Sequence, residues 1–100
     1  MKRDSGSGDQ KVMSISKKFV IKNKLGLHAR PAALFVEAAN KFDSEIYVHK
    51  GEKRVNGKSI MGLMMLAAGN GTKITIEIEG RDAKQAMHEI ETIITNDFYE

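Results

Sequence analysis

Residues 26–32 read GLHARPA, and within them His28 and Arg30 stand two positions apart between Gly26 and Pro31, the one proline of the chain. From Pro31 onward Ala32, Phe35, Val36, Ala39 and Phe42 recur at three-and-four spacing, so the pair sits at the start of an amphipathic helix. A helix start exposes unpaired N–H groups and a partial positive charge, which disfavours cations and holds anions. Two basic side chains there make sense if an anion, above all a phosphate, occupies the site for part of a working cycle. A neutral imidazole is a competent nucleophile toward a phosphoryl group, and a guanidinium pairs with the dianion that results.

The flanking residues fit that chemistry. Gly26 suits a positive φ or a close backbone approach just before the histidine, and Pro31 pre-sets φ in the first turn without needing an N–H. A histidine alone at a helix start is more often a cap or a surface residue; the arginine, glycine and proline around it give the functional reading its weight. His28, His49 and His88 fall on different elements at no ligand spacing, so no metal site and no bound cofactor are expected, and His49 and His88 read as surface residues.

A second candidate is Ser59, placed to cap the short apolar helix of SIMGLMMLAAG, with Gly69 as its stop. At about 100° per residue Ile60, Met61 and Met64 share one side of that helix, and Leu63, Leu66 and Ala67 share another. So short a helix rarely buries both. The leucine side is expected in the core and the methionine side on the surface as a docking patch, since methionines adapt to several partners.

The elements that must carry these residues are legible in the patterning. SKKFVIKN reads as a first strand with Phe19 and Ile21 alternating against Lys18, Val20 and Lys22, and EIYVH as a second with Ile46 and Val48 inward. A short strand follows around Lys53 to Val55, between Gly51 and the turn pair Asn56-Gly57. TKITIEIE alternates Ile74, Ile76 and Ile78 strictly, and a last helix from about Asp82 to Phe98 buries Ala83, Ala86, Met87, Ile90, Ile93 and Ile94. The order is βαββαβα, and an antiparallel sheet covered by helices on one side satisfies every apolar stripe.

Composition sets outer bounds. One hundred residues, 41% hydrophobic and 29% charged, make one domain. Residues 1–13, with their SGSG stretch, are expected to be a disordered extension, and 14–100 the folded unit. No apolar run reaches the roughly 18 residues that span a bilayer, and the first residues lack the apolar core of a secretory signal. With no cysteine, disulfide and thiolate chemistry are excluded and a cytoplasmic location is expected. A net charge of +3 without a Lys/Arg run is weak support for nucleic-acid binding, which is not expected.

Gly26-Leu27-His28-Ala29-Arg30-Pro31-Ala32, followed by Lys58-Ser59-Ile60-Met61-Gly62 at the second helix, closely resembles HPr, the histidine-containing phosphocarrier family of the bacterial phosphotransferase system. The likeness runs over about residues 17 to 99 in the same element order. It implies an α+β fold, an open-faced β-sandwich with a four-stranded antiparallel sheet and three helices on one face. It implies that His28 takes a phosphoryl group on Nδ1 from phosphorylated enzyme I and passes it to enzyme IIA, with Arg30 stabilising the phosphate. Such a chain is a link in a relay, acting as a monomer without membrane insertion, and not a free-standing enzyme.

Two features pull toward different branches of that family. Leu25 in NKLGLHARPA is similar to the nitrogen-related branch, whereas KSIMG resembles sugar-branch members whose serine, here Ser59, is also phosphorylated by HPr kinase/phosphorylase. The alternatives to a sugar-branch carrier are therefore a nitrogen-branch regulatory paralogue, or a non-carrier module that binds proteins through the methionine patch.

Overall fold

The computed structural model describes residues 12–100. Ile74, Ile76 and Ile78 alternate with Thr75, Glu77 and Glu79 along a strand, Lys73–Gly80, and that period of two buries all three isoleucines on one face. In chain order the elements are β1 (Met13–Val20), α1 (Ala29–Ala39), β2 (Glu45–Lys50), β3 (Lys53–Asn56), α2 (Ile60–Met65), β4 (Lys73–Gly80) and α3 (Ala83–Thr95), then a single turn over Asp97–Tyr99. The strands form one antiparallel sheet in the order β1-β4-β2-β3. Registry lines the apolar residues up across it: Ile78 faces Ile15 and Ile46, and Ile76 faces Val48, which faces Val55. The three helices cover that face with Phe35, Leu63, Leu66 and Ile90, while the other face stays open. The expected βαββαβα open-faced sandwich is the fold observed.

Several boundaries differ, each for a local reason. β1 starts at Met13, whose partner is Gly80, and ends at Val20; residues 1–11 of the expected extension lie outside the described residues. Ile21 is fully buried just past the strand, its N–H donating to Thr72 O at 2.9 Å. Helix α1 begins at Ala29, two residues before Pro31.

The expectation that α2 runs to Gly69 with Ala67 in its buried stripe is overturned. The helix ends at Met65, Ala67 is exposed in a left-handed conformation (φ 55°), and Ala68 is buried in its place. Lys50 Nζ donates to the carbonyls of Leu66 and Ala67 at 3.2 and 3.0 Å, satisfying acceptors that the shortened helix leaves over.

At the far end, α3 stops at Thr95 and does not continue to Phe98. Asp97, Phe98 and Tyr99 all take positive φ (52°, 57°, 59°), and this reversal seats Phe98 in the core. The start of α3 is tied to the α1–β2 connection by Asp82. Its carboxylate accepts from Ser44 Oγ and from the backbone N–H groups of Ser44 (3.0 Å) and Asp43 (2.8 Å), and these bonds, led by that of the Ser44 hydroxyl, hold its pKa below the usual value. Among the described residues, no helix is long and apolar enough to cross a membrane.

Candidate functional site

The loop between β1 and α1 is held from within and from across the fold. Gly26 has φ +69°, and a Cβ there would lie 2.5 Å from Ala68 O and 2.6 Å from Gly69 Cα. Both reasons for a glycine, conformation and close approach, therefore apply. The next residue, Leu27, is buried and donates its N–H to the same Ala68 carbonyl at 2.9 Å. Asn23 is buried too; its Nδ2 donates to Gly26 O at 2.5 Å, while Asn70 Nδ2 reaches Lys22 O at 2.8 Å. The end of α2 thus clamps the residues that lead into His28.

His28 is the N-cap of α1, in extended backbone (φ −84°, ψ −167°), and its side chain makes no capping bond. The first bond of the helix runs from Ala32 N to His28 O at 2.9 Å, and Pro31 has no N–H to offer. The amides of Ala29 and Arg30 meet no acceptor among the described residues. An uncapped helix start with two free N–H groups is a place for an anion. Arg30, the second residue of α1, is exposed and pairs with no other described residue.

The imidazole turns one edge toward the end of the chain. Its Nε2 lies 3.0 Å from Oε2 and 3.3 Å from Oε1 of Glu100. An ionised carboxylate can only accept, so Nε2 carries the hydrogen and, in the neutral ring, Nδ1 holds the lone pair. Glu100 is in turn held by Asn23, whose Nδ2 donates to Oε1 at 3.0 Å. The site therefore combines a ring nitrogen with its lone pair, two free amides and a guanidinium, a set suited to accepting a phosphoryl group and pairing with its charge.

Ser59 caps α2 as expected, its Oγ accepting from Gly62 N at 2.9 Å. Ile60, Met61 and Met64 are exposed (43%, 71% and 46%), and Leu63 and Leu66 are fully buried. The structure puts the 67–69 segment after α2 against the His28 loop and leaves Ser59 at the other end of α2, about 9 Å of helix away. His88 is exposed, and His49 lies partly exposed on the open sheet face with Nε2 2.7 Å from Glu77 Oε1. Cross-strand neighbours on that face supply the partner: Arg54 stacks over Tyr47 at 3.7 Å and also approaches Glu77.

Three residues escaped the sequence reading, and a fourth, Leu25, was read only as a branch feature. Met65 (71% exposed) belongs to the methionine face, and its i,i+4 relation to Met61 was the available signal. Leu25, 69% exposed, lies in the clamped loop. Asn23 carries only the generic signal of a turn-forming residue, and nothing local links Glu100 to a histidine 72 positions away.

The sequence pattern of the family described as PTS-HPr, the PTS HPr component phosphorylation site, matches residues 15–96. An HPr-like protein Crh of Halalkalibacterium halodurans is 56% identical over 73 residues, 73% of this chain and 87% of that one. A phosphocarrier protein HPr of Neisseria meningitidis serogroup A is 53% identical over 78 residues, 78% of this chain and 88% of that one. Among solved structures, HPr-C-His of Thermoanaerobacter tengcongensis superposes with a TM-score of 0.83 at 46% identity, covering 86% of this chain and 97% of that one.

Proposed function

Since the chain belongs to the HPr family of phosphocarriers of the phosphotransferase system, we propose that His28 is its phosphoryl acceptor, charged by phosphorylated enzyme I and discharged to an enzyme IIA domain. The observation that carries this reading is the orientation of the imidazole: Nε2 faces the Glu100 carboxylate, which leaves the Nδ1 lone pair free. Arg30 and the amides of Ala29 and Arg30 stabilise the incoming phosphate. Ile60, Met61 and Met64 form the docking surface, joined by Met65 and Leu25, whose exposure supports a broad apolar contact. Ser59 is a regulatory phosphorylation site for HPr kinase/phosphorylase, at the edge of that surface. The carrier works in the cytoplasm as a monomer, and light scattering at working concentration distinguishes one copy from two.

Incubation with phosphoenolpyruvate and enzyme I tests the carrier reading. It predicts one acid-labile, base-stable phosphate per chain; a protein that takes up none is a binding module and not a carrier.

A further inference from the structure

We propose that the basic end of the open sheet face is a second docking surface, one that takes an acidic segment of a partner protein and leaves the methionine face of α2 uncovered. The inference goes beyond the carrier reading and stands whichever residue accepts phosphate.

Registry assembles the surface. Side chains opposite one another on neighbouring strands form rows across the open face, and one row runs Lys18, Thr75, His49 and Arg54 over all four strands. The next row toward the end of β1 pairs Val20 with Lys73. At the other end of the same face Glu79 lies between Ser14 and Glu45. Glu77, in the row between, is engaged within the face: its Oε1 lies 2.7 Å from His49 Nε2 and 3.8 Å from Arg54 Nε, and Arg54 stacks over Tyr47. Charge is thus segregated along the strands, basic at one end and acidic at the other.

Three lysines at the basic end have nothing to pair with inside the fold. Lys17 and Lys41 bond Glu91 and Glu89, and Lys50 and Lys58 bond backbone carbonyls. Lys18, Lys22 and Lys73, by contrast, are exposed and have no partner among the described residues. All three line one open depression of about 740 Å³, in which Asp97 is the only carboxylate among the lining residues. Val20, 41% exposed on the edge strand, stands among them. Unpaired cations around an apolar residue fit carboxylates that flank an apolar side chain. A flat anionic surface such as a membrane fits less well, because it would press negative charge on Glu45, Glu77 and Glu79 of the same face as well. A short acidic segment covers the basic end alone, and repulsion from the far end sets where it stops. The open face lies opposite the helices, so such a partner does not compete for Met61 or Met64.

The test uses the full ¹⁵N-labelled chain and, as probe, a short peptide of glutamates around one leucine, with its glutamine counterpart as control. The glutamate peptide should give saturable amide shifts centred on Lys18, Val20, Lys73 and Thr75 that weaken as salt rises, while Ile60, Met61 and Met64 stay unmoved. Lys18→Glu with Lys73→Glu should weaken binding about tenfold, since two attractions become repulsions, and Lys18→Gln with Lys73→Gln should fall between. Both lysines are exposed, so the thermal midpoint should hold in each variant. Absence of saturable shifts, equal binding of the glutamine peptide, or shifts centred on α2 overturns the proposal. So does a chain that binds phosphatidylglycerol vesicles but not the peptide, which assigns the face to a membrane, or one that self-associates through these lysines, which assigns it to a second copy.

Discussion

Gly26 and Ala68 meet backbone to backbone: the Ala68 carbonyl that accepts from Leu27 N at 2.9 Å would stand only 2.5 Å from a Cβ on residue 26. This contact couples the end of α2 to the loop that presents His28. A side chain at position 26 must push the two apart as well as adopt a positive φ.

Gly26→Ala should therefore cost about 1–3 kcal/mol of stability, the range for strained backbone. It should also slow phosphorylation of His28 while leaving the sheet intact. Urea unfolding and a transfer assay measure the two effects, and an alanine variant of unchanged stability would contradict the clamp.

Asp82 offers a prediction away from the site. Ser44 is 1% exposed and its hydroxyl donates to the Asp82 carboxylate. Asp82→Ala leaves that buried hydroxyl and the Asp43 and Ser44 amides short of an acceptor, at a cost of about 1–3 kcal/mol. Because the folded-state pKa is lowered, chiefly by the Ser44 bond, the contribution is present above the ordinary carboxylate range. It is lost as pH falls through the folded value. Denaturant curves should separate the two proteins near neutral pH and draw together as pH falls below the ordinary carboxylate range; a constant gap would mean that the ionised carboxylate is not what stabilises the junction.

Arg30 should affect rate and not fold, since it is exposed and pairs with no other described residue. Arg30→Glu is expected to slow transfer to His28 by about tenfold or more, the scale of a charge-assisted hydrogen bond. Arg30→Lys should be milder. Equal rates for the two would remove the electrostatic role.

At Ser59 two substitutions divide capping from regulation. Ser59→Ala loses the bond from Gly62 N and should cost about 1 kcal/mol with little change in transfer. Ser59→Asp keeps a capping oxygen and should hold the thermal midpoint within a few degrees. Its charge beside exposed Ile60 should weaken docking to enzyme I and slow phosphorylation of His28. Unchanged transfer by the aspartate variant across a range of enzyme I concentrations would leave Ser59 as a cap alone.

What the sequence disclosed and what it hid divide along the range of the interactions. The period-two isoleucines of β4 and the three-and-four spacing of α1 are local patterns, and they sufficed for element order and for the sheet with one covered face. GLHARPA placed His28 and Arg30 at the helix start because glycine, proline and cap positions are also local. The end of α2 was misread because Ala67 turns left-handed where Gly69 was the obvious stop; the cause is a tertiary one, the docking of Ala68 against Gly26 and the Lys50 ammonium on the last carbonyls. Likewise α3 ends early because Phe98 is buried by a reversal that no helical period reveals. That reversal is what carries Glu100 to His28, so the partner of the imidazole was hidden by the same long-range packing.

The account stands most directly on which atom carries the phosphate. ¹⁵N-labelled protein phosphorylated by enzyme I and phosphoenolpyruvate can be read by ³¹P and long-range ¹H–¹⁵N spectra, alongside a folded His28→Ala variant. The predicted result is a single phosphoryl group on Nδ1 of His28, absent from the alanine variant. A phosphoryl group on Nε2 or on any other residue, or one still acquired by His28→Ala, would contradict it.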